Sequence, residues 1–192
     1  LDFSKYEAGK MQLENRPFHL EDVLTSLSNH LKLKAEEKGL ELLFSVHPDV
    51  PLRLIGDALR LEQALLNLMN NAVKFTENGE VILTVRPEQN TNGHMLLSFA
   101  VQDTGIGIGP EYIPTLFTPF TQAEGGLNRT YGGTGLGLAI CKHIARAMDG
   151  EIHCQSTPGE GSCFTLTGWF QIGSQETLSQ AYWQDLQGKR LL

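Results

Sequence analysis

Leucines at 20, 24, 27 and 31 recur at three- and four-residue steps, a spacing that predicts an amphipathic helix from about Leu20 until Gly39 ends it. Leu40 to Val46 then reads as a strand. Beyond Pro48 and Pro51, Gly56-Asp57 opens a second periodic stretch. In it Leu61, Leu65, Leu68, Ala72 and Phe75 share one face, and Asp57 is suited to the N-cap. Glu77-Asn78-Gly79 turns the chain into a strand from Val81 to Val85, and Thr91-Asn92-Gly93 turns it into another from Met95 to Val101, which predicts a hairpin. A third helix is predicted from about Leu136 to Met148, closing at Gly150, followed by strands at Glu151 to Gln155 and Ser162 to Phe170. Strands in adjacent pairs predict a mixed or antiparallel sheet with helices on one face, and not a doubly wound parallel one. There is no internal repeat.

Between Asp103 and Gly137 the pattern changes, because nine of the chain's 20 glycines fall there. Such a segment is mobile or shaped for close backbone approach to a ligand. Composition narrows the classes further. The 192 residues carry a net charge of −7 and have no Lys/Arg-rich block, which argues against a surface that neutralises nucleic-acid phosphates. No apolar run approaches the roughly 18 residues that span a bilayer. Cys141, Cys154 and Cys163 are odd in number and lack CxxC spacing, so they suggest neither a disulfide framework nor zinc and read as small buried hydrophobes. A start at Leu1 without a signal-peptide pattern, and an end at Leu191-Leu192, suggest a piece of a longer protein.

Three segments carry chemistry. Asn67, Asn71 and Lys74 project from one stripe of the second helix, where two amide oxygens suit a hydrated Mg²⁺ shared with phosphates and the ammonium supplies a point charge. The same spacing also suits a solvated helix face. Asp103-Thr104-Gly105-Ile106-Gly107-Ile108 places a carboxylate at the end of an apolar strand before a glycine turn. There it either caps the turn or accepts a hydrogen bond from an exocyclic amine such as that of adenine; guanine presents a carbonyl instead. Gly132-Gly133-Thr134-Gly135-Leu136-Gly137-Leu138 opens into the third helix, whose uncluttered first amides form an anion site. It is neither a Walker A loop nor a Rossmann fingerprint, since no Lys follows the glycines and position 138 is Leu. Arg129 and Tyr131, just upstream, are within reach of a terminal phosphate or are solvated.

In this order and spacing the segments resemble the GHKL ATP-binding superfamily, and within it the catalytic and ATP-binding domain of bacterial sensor histidine kinases. Asn67 to Thr76 is similar to the N box, Asp103 to Ile108 to the G1 box, Leu116-Phe117-Thr118-Pro119-Phe120 to the F box, and Gly133 to Leu138 to the G2 box. The resemblance covers residues 17–172. It implies a two-layer α/β (α+β) sandwich with a mixed, mostly antiparallel sheet, three main helices on one face, and a flexible lid at about Gly109 to Gly132. It implies ATP and Mg²⁺ as cofactors, with Asn71 as metal ligand and Asn67 as a second contact. Asn67, Lys74 and Arg129 become the catalytic set. Asp103 becomes the adenine reader, and Gly105, Gly107, Ile108, Phe120, Arg129, Tyr131, Gly133, Thr134, Gly135, Leu136, Gly137 and Leu138 line the nucleotide. Phe117/Phe120 and Leu136/Leu138 equally suit lid anchoring and core packing.

Hydrolytic relatives such as gyrase have a glutamate at the position matching Asn67, where it activates water; an amide cannot accept that proton. The resemblance is therefore to kinases that transfer the γ-phosphoryl group to a histidine on another domain. None of the six histidines, at 19, 30, 47, 94, 143 and 153, sits in the family's His-Glu-x-[Arg/Lys]-x-Pro setting. Residues 1–16 are similar to the end of the dimerisation and phosphoacceptor helices, and residues 173–192 to a linker leading into a receiver domain. The implied parent is a homodimeric hybrid kinase anchored in the bacterial inner membrane with this domain in the cytoplasm. Its partners are its own dimerisation and receiver domains and a downstream response regulator. The fragment itself is expected to be a monomer that binds no nucleic acid. A regulatory contact module with weak catalysis and a GHKL ATPase are the alternatives.

Overall fold

The computed structural model describes residues 12–121 and 135–173. The chain enters through a short strand, β1 (Arg16–His19), and passes directly into helix α1 (Leu20–Lys38). Gly39 ends α1 in the left-handed region at φ 67°, and Leu40 N–H donates back to Ala35 O at 2.9 Å. That is the bond pattern of a glycine C-cap. Strands β2 (Glu41–Val46) and β3 (Arg53–Gly56) follow, then helix α2 (Ala58–Phe75). Asp57 caps α2 as expected, its carboxylate accepting Arg60 N–H.

The predicted hairpin is present and longer at both ends: β4 spans Glu80–Thr91 and β5 spans His94–Asp103. Asn92 and Gly93 connect them with φ of 50° and 79°. Two successive positive φ angles match the right-handed twist of the flanking strands. Helix α3 (Gly137–Ala147) and strands β6 (Ile152–Thr157) and β7 (Gly161–Ile172) complete the order.

The seven strands form one sheet in the order β1-β3-β7-β5-β4-β2, with β6 also paired to β7. Only β2 and β4 run parallel; every other pair is antiparallel. In β5, Met95, Leu97, Phe99, Val101 and Asp103 are buried, while Leu96, Ala100 and Gln102 on the alternate face are half-buried or exposed. One face therefore packs under the helices. Leu83, Leu97, Phe99 and Val101 from the sheet meet Leu27, Leu31, Leu61, Leu65 and Leu68 from α1 and α2 in a single core.

Two strands were not predicted, β1 and β3, nor was the 3-10 turn at Ile113–Thr115. Each strand has four residues and one pairs only with the other along its length, too short for a period-2 pattern to register. Pro17 lies in β1, at the sheet edge where a missing N–H costs least. The cysteine reading needs correction: Cys141 is buried, but Cys154 and Cys163 are only half-buried on β6 and β7. Among the described residues no helix is long and apolar enough to cross a membrane.

Candidate functional site

Helix α2 carries Asn67, Asn71 and Lys74, all half-buried, on a stripe beside its leucine face. Against the Asn67 end of that stripe sits the first residue of α3. A Cβ placed on Gly137 would lie 3.5 Å from Asn67 Oδ1, so the glycine lets the helix start approach the amide in ordinary contact. Cys141, one turn further along α3, packs on Ala64 O at 3.4 Å and beside Asn67. Burial, partly offset by Asn67, pushes the Cys141 thiol up to about 12, which makes it an inert spacer between α2 and α3.

Against the C-terminal end of α2 sits the loop that follows β5. Asp103 closes that strand with 7% exposure. Its Oδ1 accepts Gly105 N–H at 2.9 Å and Ser162 N–H at 3.3 Å. The second oxygen accepts no hydrogen bond among the described residues. Burial pushes this carboxyl above the usual carboxylate range, and the two backbone donors oppose the shift. One oxygen is thus held by the protein, and the other is uncommitted among the described residues.

The loop is braced from two sides. Toward α2, Ile106 N–H donates to Phe75 O at 3.2 Å, and a Cβ on Gly105 would stand 2.5 Å from that same oxygen. Toward the β6–β7 hairpin, Gly159 N–H donates to Ile106 O at 2.8 Å and Ile108 N–H donates to Ser156 Oγ at 2.8 Å. Gly107 has φ 68°, and a Cβ there would lie 2.0 Å from Thr157 O. Both glycines are demanded by the protein's own carbonyls pressing on the loop.

Ile108 and Leu138 are half-buried and pack on the core, and Leu136 is half-buried at the N-cap of α3. The two F-box aromatics separate. Phe117 packs edge-to-face on Phe164 with centroids 6.4 Å apart, whereas Phe120 is 69% exposed at φ 60°. Phe120 N–H donates to Gly135 O at 3.1 Å. Arg129, Tyr131, Gly133 and Thr134 lie outside the described residues.

Sequence reasoning passed over Ser156, Ser162 and the Thr157–Gly159 turn, which were read only as strand and connection. Their role comes from β6–β7 folding back over the loop, and no local pattern announces it. Lys38 was missed for the same reason. Its ammonium reaches the C-terminal carbonyls of α2 from another helix.

The comparisons with known proteins agree with this geometry. The chain is 44% identical over 192 residues to the sensor histidine kinase GacS of Pseudomonas protegens, covering all of this chain and 20% of that protein. It is 43% identical over 172 residues to the signal transduction histidine-protein kinase BarA of Escherichia coli, covering 90% of this chain and 18% of that protein. It thus spans about a fifth of these relatives' length. Among solved structures, full-length ShkA in complex with AMPPNP matches with TM-score 0.77 and 32% identity, over 90% of this chain and 35% of that one. The catalytic domain of histidine kinase ThkA matches with TM-score 0.63 and 25% identity, over 82% of this chain and 95% of that one. The model of the histidine kinase-, DNA gyrase B- and HSP90-like ATPases matches residues 56–171, which contain α2, the Asp103 loop and the start of α3, and the chain belongs to that family.

Proposed function

We propose that the domain binds Mg²⁺-ATP and transfers its γ-phosphoryl group to a histidine imidazole on a dimerisation domain outside this chain. The observation that carries the reading is Asp103, a buried carboxylate with one oxygen tied to Gly105 and Ser162 and the other uncommitted among the described residues. Such an acceptor suits the exocyclic amine of adenine and repels the carbonyl of guanine. The residues present also fit the rest of the group. Asn71 and Asn67 offer neutral hard oxygens for Mg²⁺, which would neutralise phosphate charge and orient the phosphates. Lys74 and Arg129 supply positive charge, and the N-terminus of α3 lies against the same stripe at Asn67.

In the transfer, the Pγ–O bond to ADP breaks as the Pγ–N bond to the imidazole forms, and ADP carries away the charge. Catalysis is then positioning and electrostatic stabilisation. Asn67 accepts no proton, which favours transfer over hydrolysis. The names of the relatives support a sensor histidine kinase as parent. The family resemblance adds to the proposal a hybrid architecture with receiver and response-regulator partners, homodimerisation through a dimerisation domain, and an inner-membrane anchor.

Calorimetric titration of the domain with Mg²⁺-ATP, Mg²⁺-ADP and Mg²⁺-GTP, with Asp103→Ala alongside, tests the site. Saturable adenine-selective binding that falls by about 1.5 to 3 kcal/mol in the variant is expected. A folded domain that binds no adenine nucleotide would overturn the reading. Restoring the dimerisation domain then separates a kinase, which labels histidine, from a contact module, which does not.

A further inference from the structure

An α-helix leaves its last four carbonyls without intrahelical donors, and at the end of α2 each of them has a partner. Ala72 O accepts Thr76 N–H at 3.1 Å and Thr76 Oγ1 at 2.7 Å. Phe75 O accepts Ile106 N–H at 3.2 Å. The two between them, Val73 O and Lys74 O, both accept from Lys38 Nζ at 2.8 Å, and the same ammonium donates to Thr76 O at 3.0 Å. An ammonium has three N–H donors, and all three converge here.

The placement of Lys38 follows from how the two helices run. Ser26 Oγ donates to Glu62, Lys34 Nζ donates to Asn70 Oδ1 at 2.9 Å, and Lys38 reaches residues 73, 74 and 76. Positions on α1 thus meet positions about 36 further along the chain throughout, so α1 and α2 are parallel. Their negative ends lie side by side, and Lys38, the last residue of α1, stands between them. The carbonyl it grips at Lys74 belongs to the residue that offers the cation to the site, whose own ammonium lies 4.7 Å from the centroid of the Phe75 ring.

We infer that Lys38 is a positioning residue for nucleotide binding, fixing the last turn of α2 so that Lys74 faces the phosphates. The inference rests on the reading of this site as an ATP site and deepens it. Without the Lys38 ammonium, two carbonyls at the negative end of α2 lose their donor and the final turn loosens. Asn67 and Asn71 lie further back in the helix, where the intrahelical ladder is intact, so the loss is channelled through Lys74.

A double-mutant cycle on the domain tests it, with Mg²⁺-ATP and adenosine affinities measured for wild type, Lys38→Met, Lys74→Met and the double variant. Lys38→Met is expected to weaken Mg²⁺-ATP binding by about tenfold and adenosine binding by less, and the double variant is expected to bind no more weakly than Lys74→Met. A merely structural lysine gives additive losses instead, and additivity or unchanged affinity in Lys38→Met overturns the inference. Lys38→Arg restores part of the affinity, because a planar guanidinium keeps the charge but cannot converge three donors. Thermal melts establish that each variant is folded at the assay temperature; if Lys38→Met is not, Lys38→Arg enters the cycle in its place with the same criterion. A folded wild type that binds no nucleotide overturns the ATP-site reading and this inference together, whereas a binding wild type with an additive cycle overturns this inference alone.

Discussion

The loop after Asp103 and the start of α3 flank the same stripe of α2 and are held in opposite ways. Every turn of the loop is tied: Ile106 to Phe75 and Gly159, Ile108 to Ser156, Gly105 and Ser162 to Asp103. The start of α3 has Leu136 at its N-cap, a side chain that cannot accept an amide, and glycines at 135 and 137. The N-terminus of α2, away from the site, has Asp57 in the same role, its carboxylate accepting Arg60 N–H. Under the proposed ATP reading, the contrast suits what each wall would recognise. A base would be read by shape and one fixed acceptor, which a braced loop presents without rearranging, whereas an anion would be read at a helix start that carries no side-chain cap.

Three substitutions probe the contrast. The largest effect is expected from Gly107→Ala, which puts a methyl group against Thr157 O and forces alanine to φ 68°. It should cost about 3 kcal/mol of stability in denaturant titrations, since the carbonyl it meets is backbone and cannot swing away. A cost below about 1 kcal/mol would mean that the loop is not clamped by the hairpin.

Asp103→Asn separates stability from recognition. The folded carboxyl titrates above its ordinary value because burial penalises its charge. In the window between the ordinary value and the raised one the native state binds more protons than the unfolded state, so this group makes stability fall as pH rises through that window. Asparagine keeps an oxygen for Gly105 and Ser162 and removes the charge. The variant is expected to melt higher than wild type at neutral pH and to flatten this part of the pH dependence, while losing about 1.5 to 3 kcal/mol of adenine-nucleotide affinity. A melting temperature that drops with affinity intact would reverse the roles assigned to the two oxygens.

The smallest effect is expected from Asp57→Ala. Asp57 caps α2 through Arg60 N–H at 3.0 Å and also accepts Glu14 N–H at 3.0 Å. Its loss should cost about 1 to 2 kcal/mol of stability, with nucleotide affinity unchanged. An affinity change as large as the stability change would show that capping at the far end of α2 reaches the site.

What the chain determined by itself is what local pattern can encode. Local pattern placed all three helices within a residue or two, the first two through leucine-rich periodicity, Asn92-Gly93 placed the hairpin turn, and Asp57 and Gly39 placed caps, because each depends on side chains only a few positions apart. Asn67, Asn71, Lys74, Asp103 and the glycines were legible as candidates through their spacing and their boxes. Why those glycines are needed was not legible: at 105 and 107 the obstacle is a carbonyl from a segment about 30 to 50 residues away. Strands β1 and β3, the Ser156–Ser162 brace and the Lys38 grip belong to the same class. Each has its meaning only after distant elements pack, since hydrogen-bond partners separated by tens of residues leave no period along the chain. Tertiary structure decided which donors and acceptors are already spent, and so which remain for a ligand.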